Sequence, residues 1–261
     1  EAERVVLALI GERGRELRAF VEDALGEDGM RRAVVVAATS DRSALVKRRA
    51  AWTATAIAER FRDEGRHVLL LVDSLTRFAE AHREVALTAG EPPSLRAWPP
   101  STGAELARLT ERAGPGAPRA DGRRGDVTAV YSVLVQGSDM EEPVADMARG
   151  LLDGHVVLDR DIAERGRFPA VDVARSVSRA LPGCASEAER ALIAEARRLL
   201  ARHAEAWPML QAGLWREGAD PEADRAIRLF PALDAFLAGR GPGGAEAAFA
   251  RLAETLAGEP G

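Results

Sequence analysis

The sequence predicts an α/β fold built on a mostly parallel sheet flanked by helices, followed by an all-helical C-terminal domain. Three observations predict it. Uninterrupted apolar runs recur at residues 5–10, 33–38 and 68–72, and a strand apolar at every position is one covered on both faces, as in a parallel sheet. Longer segments with helical spacing separate these runs, so strand and helix alternate. Past Pro182-Gly183 the composition turns to Ala, Arg, Glu and Leu at helical periodicity with no strand-like run.

Taken in order, residues 5–10 form a buried strand that runs into Gly11-Glu12-Arg13-Gly14. Leu17, Phe20, Val21 and Leu25 share one helical face, which predicts a helix over about residues 15–25, stopped by Gly26. Residues 33–38 are the second strand. Thr39-Ser40-Asp41 then offers an N-cap to a long helix over 43–64, ended by Gly65. The third strand carries Asp73 at its C-terminal end, and a helix over 75–89 follows. Gly90-Glu91-Pro92-Pro93 and Trp98-Pro99-Pro100 break the pattern before a short helix over 102–112. Residues 114–125, rich in Gly, Pro and Arg, read as a mobile surface loop. Residues 127–135 are rich in β-branched side chains and predict a strand, Gly137-Ser138-Asp139 a turn, and Pro143 a helix start. A short strand over 156–158, a short helix over 159–165 and a strand or extended run over 171–177 complete the first domain, residues 1–182. Residues 183–261 form the helical domain, with helices over 186–203, 222–237 and 245–256 and a frayed tail over 258–261.

Bulk properties narrow the function classes. A chain of 261 residues that is 46% hydrophobic and 30% charged buries a core and keeps a polar surface. A net charge of -5 argues against a protein that coats nucleic acid, and an aromatic content of 5% against base-stacking platforms. Cys184 is the one cysteine, which excludes an intrachain disulfide and a thiolate metal cluster and agrees with a reducing cytoplasm. His67, His82, His155 and His203 are too dispersed to pair at metal-ligand spacing. No apolar run approaches the roughly 18 residues of a membrane span.

Three places join a charged group to a strand end. Glu12 has the placement of a general base that polarises water, or of a first-turn acid at a helix N-terminus. Asp73 stands where open α/β sheets place their chemistry; it suits a metal ion, held directly or through water, or an N-cap. Arg77, one turn on, reads as its i,i+4 partner. Arg179, in Ser176-Val177-Ser178-Arg179, can reach a phosphate, its own or a neighbour's, or stand as a surface cation. Together an acidic base, a metal-side acid and a distant arginine are the parts of phosphoryl transfer other than the phosphate cradle. The cradle signature G-x-x-x-x-G-K-[ST] does not occur here: Lys47, the one lysine, sits mid-helix with no glycine before it. The expectation is either a cradle preceding Glu1 in a longer protein, which a start so close to a strand also suggests, or a protein that is not a nucleotide hydrolase.

The motifs decide between these. Ala8-Leu9-Ile10-Gly11-Glu12-Arg13-Gly14-Arg15-Glu16, Ala38-Thr39-Ser40-Asp41-Arg42 and Leu70-Leu71-Val72-Asp73-Ser74-Leu75-Thr76-Arg77-Phe78-Ala79 are followed, in order, by Gly90-Glu91-Pro92-Pro93, Leu109-Thr110-Glu111-Arg112, Asp139-Met140-Glu141-Glu142-Pro143, Leu152-Asp153-Gly154-His155 and Ser176-Val177-Ser178-Arg179. With these blocks the chain resembles the rotary-type ATPases of flagellar export and type III secretion, relatives of the catalytic subunits of F-type ATP synthase. The resemblance covers almost all of residues 5–182 and, more loosely, the helical tail. Glu164-Arg165-Gly166-Arg167-Phe168-Pro169 leans towards the flagellar branch. Ala97-Trp98, where the family commonly carries Gly-Tyr, and Thr102-Gly103-Ala104 depart from its pattern in loop and pore detail, outside the chemistry.

The resemblance implies a RecA-like sheet, here incomplete because the N-terminal β-barrel and the phosphate-loop strand of the family are not in the sequence. It implies ATP and Mg²⁺ as cofactors, with Glu12 activating water, Asp73 orienting the Mg²⁺ shell through water, Arg179 as an arginine finger on the neighbouring subunit's nucleotide, and Arg13 and Arg77 shaping the site. It implies a cytoplasmic homohexamer, peripheral to the export gate at the inner membrane. Its partners would be export chaperones and substrates and the stalk and regulator proteins, with hydrolysis coupled to chaperone release and substrate unfolding. The alternative is a non-hydrolysing module that binds a chaperone or regulator. A further relative to be separated is an RNA-translocating or proton-pumping ATPase.

Overall fold

The computed structural model describes residues 2–137, 139–239, 241 and 243–258. Ser138 of the expected turn and residues 259–261 of the expected tail lie outside them. The described chain divides into two compact units, Glu1–Leu152 and Asp153–Gly261. Residue 182, where the sequence puts a domain boundary, falls inside the second.

The first unit is a five-stranded sheet in the order β2-β1-β3-β5-β4. Its strands are β1 (Arg4–Ile10), β2 (Ala33–Ala38), β3 (His67–Asp73), β4 (Gly114–Pro115) and β5 (Asp126–Tyr131), and only the short β4 runs antiparallel to its neighbour. In β1 the run from Val6 to Ile10 is buried throughout, as two-sided cover requires, whereas in β3 only Val68, Leu70 and Val72 are fully buried and Leu69 and Leu71 are half-buried. A side chain such as Leu70, fully removed from water, stabilises the fold by about 2 kcal/mol.

Helix α3 (Ala44–Asp63) packs on this sheet through Ala51, Ala54 and Ala58, whose i, i+3, i+7 spacing puts methyl groups along one face and lets the helix approach closely. Helices α4 (Leu75–Thr88) and α5 (Ser101–Thr110) complete the core with Leu75, Phe78, Ala79, Leu106 and Leu109. Trp52 of α3 meets Phe78 edge-on at 6.1 Å between centroids, and the guanidinium groups of Arg108 and Arg112 lie 5.6 and 5.3 Å from its ring. Arg112 is held in turn by Glu59.

Two expectations change here. The single helix expected over 15–25 is three consecutive helical pieces: α1 (Gly14–Ala19), a π-helical stretch (Phe20–Leu25) and α2 (Gly26–Met30). Gly26, at φ 59°, turns the chain between two of them and does not end the segment. None of the pieces has a fully buried residue, so no packed face imposes a regular period. The stretch over 114–125 is not a featureless loop. Gly114 and Pro115 pair with Val127 and Asp126, Gly116 N donates to Gly125 O at 2.9 Å and Arg119 N to Arg123 O at 2.9 Å.

Helix α6 (Pro143–Leu151) closes the first unit. The second begins with an antiparallel pair, β6 (Gly154–Leu158) and β7 (Val171–Ser178), with the short α7 (Arg160–Glu164) between them. Then come α8 (Glu187–Gln211), α9 (Pro221–Ala238) and α10 (Gly244–Ala257), packed around Leu199, Leu229, Leu233, Leu252 and Leu256. Ser186 and Glu189 form a capping box at the start of α8, and Asp220 with Pro221 starts α9. No described helix is long and apolar enough to cross a membrane.

Candidate functional site

The parallel ladders bring four strand ends to one edge. Ile10 of β1 pairs with Ala38 of β2, Leu9 with Asp73 of β3, and Val72 with Tyr131 of β5. The residues just beyond these ends therefore share the C-terminal edge of the sheet: Thr39 to Asp41, Gly11 to Arg13, Asp73 and Ser132.

Gly11 makes the turn that presents Glu12. It stands at φ 79°, and a Cβ there would lie 3.1 Å from Arg77 Cγ and 3.2 Å from Arg77 Cδ. Only glycine satisfies both that backbone and that approach. The turn is fastened to β2's continuation: Gly11 N donates to Ala38 O at 2.7 Å and Ser40 N to Glu12 O at 2.9 Å. Glu12 is half-buried. Arg77 donates to Glu80 at 2.8 Å; that bond, Glu80's charge and, less strongly, the field of Glu12 hold its guanidinium above the usual arginine range. Arg77 is thus the i,i+3 partner of Glu80, in place of the i,i+4 pair expected with Asp73. Arg13 is exposed beside Glu16 at 3.6 Å. In the neighbouring turn, the Thr39 hydroxyl donates to Asp41 at 2.5 Å and lowers that carboxyl's pKa.

Asp73 does not cap the following helix. That role falls to Ser74, whose buried hydroxyl accepts from Arg77 N at 3.2 Å. The Asp73 carboxylate is bound instead by Ser132, whose Oγ donates to Asp73 Oδ1 at 2.5 Å. The Asp73–Ser74 peptide bond is cis. No group of three or more His, Cys, Asp and Glu side chains among the described residues forms a ready-made metal cage. A single half-buried carboxylate at a strand end fits a hard cation that takes the rest of its shell from water and phosphate oxygens, as Mg²⁺ does. Lys47, excluded from a cradle role by its context, donates to Ser40 O at 2.8 Å.

Arg179 belongs to the second unit. Its position follows from the β6–β7 pairing: Gly154 lies across from Ser178, so close that a Cβ would fall 2.5 Å from Val177 O, and Arg179 N donates to Asp153 O at 2.7 Å. The side chain is exposed. The first unit therefore gathers Glu12, Asp73, Arg13 and Arg77 on one sheet edge, and the second carries Arg179.

Sequence reasoning missed Ser132 and Glu80. Ser132 gave no strand-end signal, because the sequence puts it inside the run 127–135, whereas β5 ends one residue before it at Tyr131. Sequence reasoning also missed a part-buried polar chain joining α3, α4 and α5. Arg48 Nη1 meets His82 Nδ1 at 3.2 Å, His82 Nε2 meets Ser101 Oγ at 2.7 Å, and Ser101 Oγ meets Glu91 Oε2 at 2.6 Å. A guanidinium only donates, so His82 accepts at Nδ1 and donates from Nε2, and the Ser101 hydroxyl donates to Glu91. Burial pushes the His82 pKa down, against the opposing fields of Glu105 and Glu91.

Comparison with known proteins extends this geometry. A model of the ATP synthase alpha/beta family, nucleotide-binding domain, matches residues 1–178, and one of the type III secretion EscN ATPase C-terminal domain matches residues 185–240. The flagellum-specific ATP synthase of Caulobacter vibrioides is 53% identical over 234 residues, 89% of this chain and 53% of that protein. The type 3 secretion system ATPase of Sinorhizobium fredii is 50% identical over 236 residues, 90% of this chain and 51% of that protein. Among solved structures, the assembled ATPase EscN from the enteropathogenic Escherichia coli type III secretion system superposes with a TM-score of 0.90 at 40% identity. The match covers 98% of this chain and 61% of EscN. EscN in complex with its central stalk EscO gives 0.85 at 39% identity, covering 98% of this chain and 60% of that one. The chain spans about half the length of the curated relatives it matches.

Proposed function

The chain belongs to the ATP synthase alpha/beta family, and from that premise we propose that it is part of an ATPase that powers flagellar or type III protein export, hydrolysing ATP to ADP and phosphate. The observation that carries this reading is the placement of Glu12 and Asp73 beyond adjacent parallel strands on the edge where such sheets hold nucleotides.

Glu12 accepts the proton of the attacking water. Asp73 holds the hydration shell of the metal by hydrogen bonding. Held there, Mg²⁺ would supply positive charge to offset that of the phosphates. Arg77, fixed by Glu80, keeps a positive charge beside Glu12. Arg13 borders the same turn. Arg179 neutralises charge developing on the nucleotide of a neighbouring subunit in a homohexameric ring. The β- and γ-phosphates need a cradle that residues 1–261 do not spell out, so the 261-residue chain by itself is proposed not to turn over. Residues 1–182 are proposed as the ATPase domain and 183–261 as the helical domain that meets export chaperones and substrates. The complex of EscN with its stalk EscO supports a stalk partner for this protein as well. The ring is proposed to stand in the cytoplasm at the inner-membrane export gate. A non-hydrolysing module that binds a chaperone or regulator is the second reading, favoured only by the missing cradle signature.

Phosphate release separates the two. At full encoded length, Glu12→Gln is expected to lower kcat by about 10²- to 10⁴-fold, and the 261-residue chain alone to release none. Steady turnover by that chain, abolished by Glu12→Gln, would overturn the need for an outside cradle. No turnover at full length would favour the binding module.

A further inference from the structure

We propose that Ser132 is the positioning residue of Asp73, fixing which carboxylate oxygen faces a magnesium–nucleotide complex; this rests on reading Asp73 as the metal-side acid. The Ser132 hydroxyl has one proton and two acceptors within reach, Asp73 Oδ1 at 2.5 Å and Val72 O at 3.3 Å. The shorter contact, to an ionised group, takes the proton, because a charge-assisted O–H···O⁻ bond is both shorter and stronger.

The donor's backbone is held on both sides. Ser132 N donates to Val72 O at 3.0 Å and Ser132 O accepts from Leu75 N at 2.9 Å, so its backbone is pinned on both sides of Asp73. One step further, Leu134 N donates to Thr76 Oγ1 at 2.9 Å, and Thr76 is buried. The χ2 torsion of an aspartate is broad, and an unrestrained carboxylate at a strand end swings. Here Oδ1 is engaged by a donor whose backbone is fixed, which leaves Oδ2 as the oxygen for an incoming group. As outer partners do for metal ligands, Ser132 sets the orientation of a carboxylate that holds the metal's water shell.

A positioning role for Ser132 moves a quantity that stability alone does not. Ser132→Ala removes the hydroxyl, Ser132→Thr keeps it on a β-branched side chain, and Ser132→Val has the threonine shape without the hydroxyl. At full encoded length, the affinity for a fluorescent ATP analogue is measured with and without Mg²⁺, alongside the thermal midpoint. Ser132→Ala and Ser132→Val are expected to cut the Mg²⁺-dependent gain in affinity by about 10- to 100-fold. Metal-free binding should stay unchanged, and Ser132→Thr should retain the gain. Equal loss with and without Mg²⁺, together with a lowered midpoint, would mean that Ser132 is structural and would overturn the proposal. Asp73→Asn separates the two levels of the argument. If it abolishes the Mg²⁺ gain while both Ser132 variants keep it, the positioning role is refuted and the metal-side acid stands. If it keeps the gain, the reading of Asp73 fails and the inference with it.

Discussion

Gly11 is the residue on which the arrangement around Glu12 turns. It has a left-handed backbone, and the methylenes of Arg77 occupy the space where its side chain would stand. Gly11→Ala is expected to cost about 1 kcal/mol or more from the strained φ alone, read as a lowered denaturation midpoint. It should also reduce turnover, because Arg77 must shift by a few tenths of an ångström to admit the methyl. A midpoint and turnover equal to wild type would show that the turn relaxes freely. At this scale the sequence was legible wherever a charged residue ends an apolar strand, which is why Glu12 and Asp73 stood out. It was not legible where the partner comes from another strand. Asp73 and Ser132 lie 59 positions apart and meet only through the β3–β5 register. The cap was misread for a related reason: Asp73 and Ser74 both suit a helix start, and the competing bond from Ser132 takes Asp73 out of that role.

Among the elements, those with a buried face were the readable ones. The strand and helix patterns over residues 33–89 match β2, α3, β3 and α4 to within one or two residues at most ends. The segment over 14–30 was not readable, because its apolar side chains are only half-buried and no packing surface enforces one period. The contact between α3, α4 and α5 depends on a titratable chain through His82. Burial lowers the folded-state pKa of His82 from 6.5, so protons bind the unfolded chain more readily than the folded one. The stability this group confers is full above its unfolded pKa and falls as pH drops from there through the lowered folded pKa. His203, buried against Phe230 with rings 3.6 Å apart, behaves in the same sense, with burial again the main cause. Thermal midpoints are therefore expected to fall from pH 7.5 towards acid well before the carboxylates titrate. His82→Gln should flatten that fall in the first unit. An unchanged pH profile in that variant would exclude His82 as its source.

At the scale of the whole molecule, the proposed chemistry is divided between the two units, Glu12 and Asp73 in one and Arg179 in the other. If Arg179 serves a neighbour, its loss leaves the local nucleotide contacts in place. Arg179→Ala is expected to cut turnover by about 10³-fold or more, as trans arginine fingers do, with nucleotide affinity nearly intact. Mixing Arg179→Ala subunits with Glu12→Gln subunits should then restore activity that neither has alone, since some interfaces pair an intact base with an intact arginine. No recovery on mixing, or equal loss of binding and turnover, would make Arg179 a structural residue. The tryptophans offer a way to follow such changes without a label. Trp52 and Trp98 belong to the first unit, Trp207 and Trp215 to the second. Trp52 has two guanidinium groups near its ring, at the seam between α3 and α5. Trp207 lies 5.5 Å from His203, whose protonated form quenches indole light. With the other tryptophans replaced by phenylalanine, Trp52 emission would follow packing in the first unit, and Trp207 emission the proton uptake of His203 in the second.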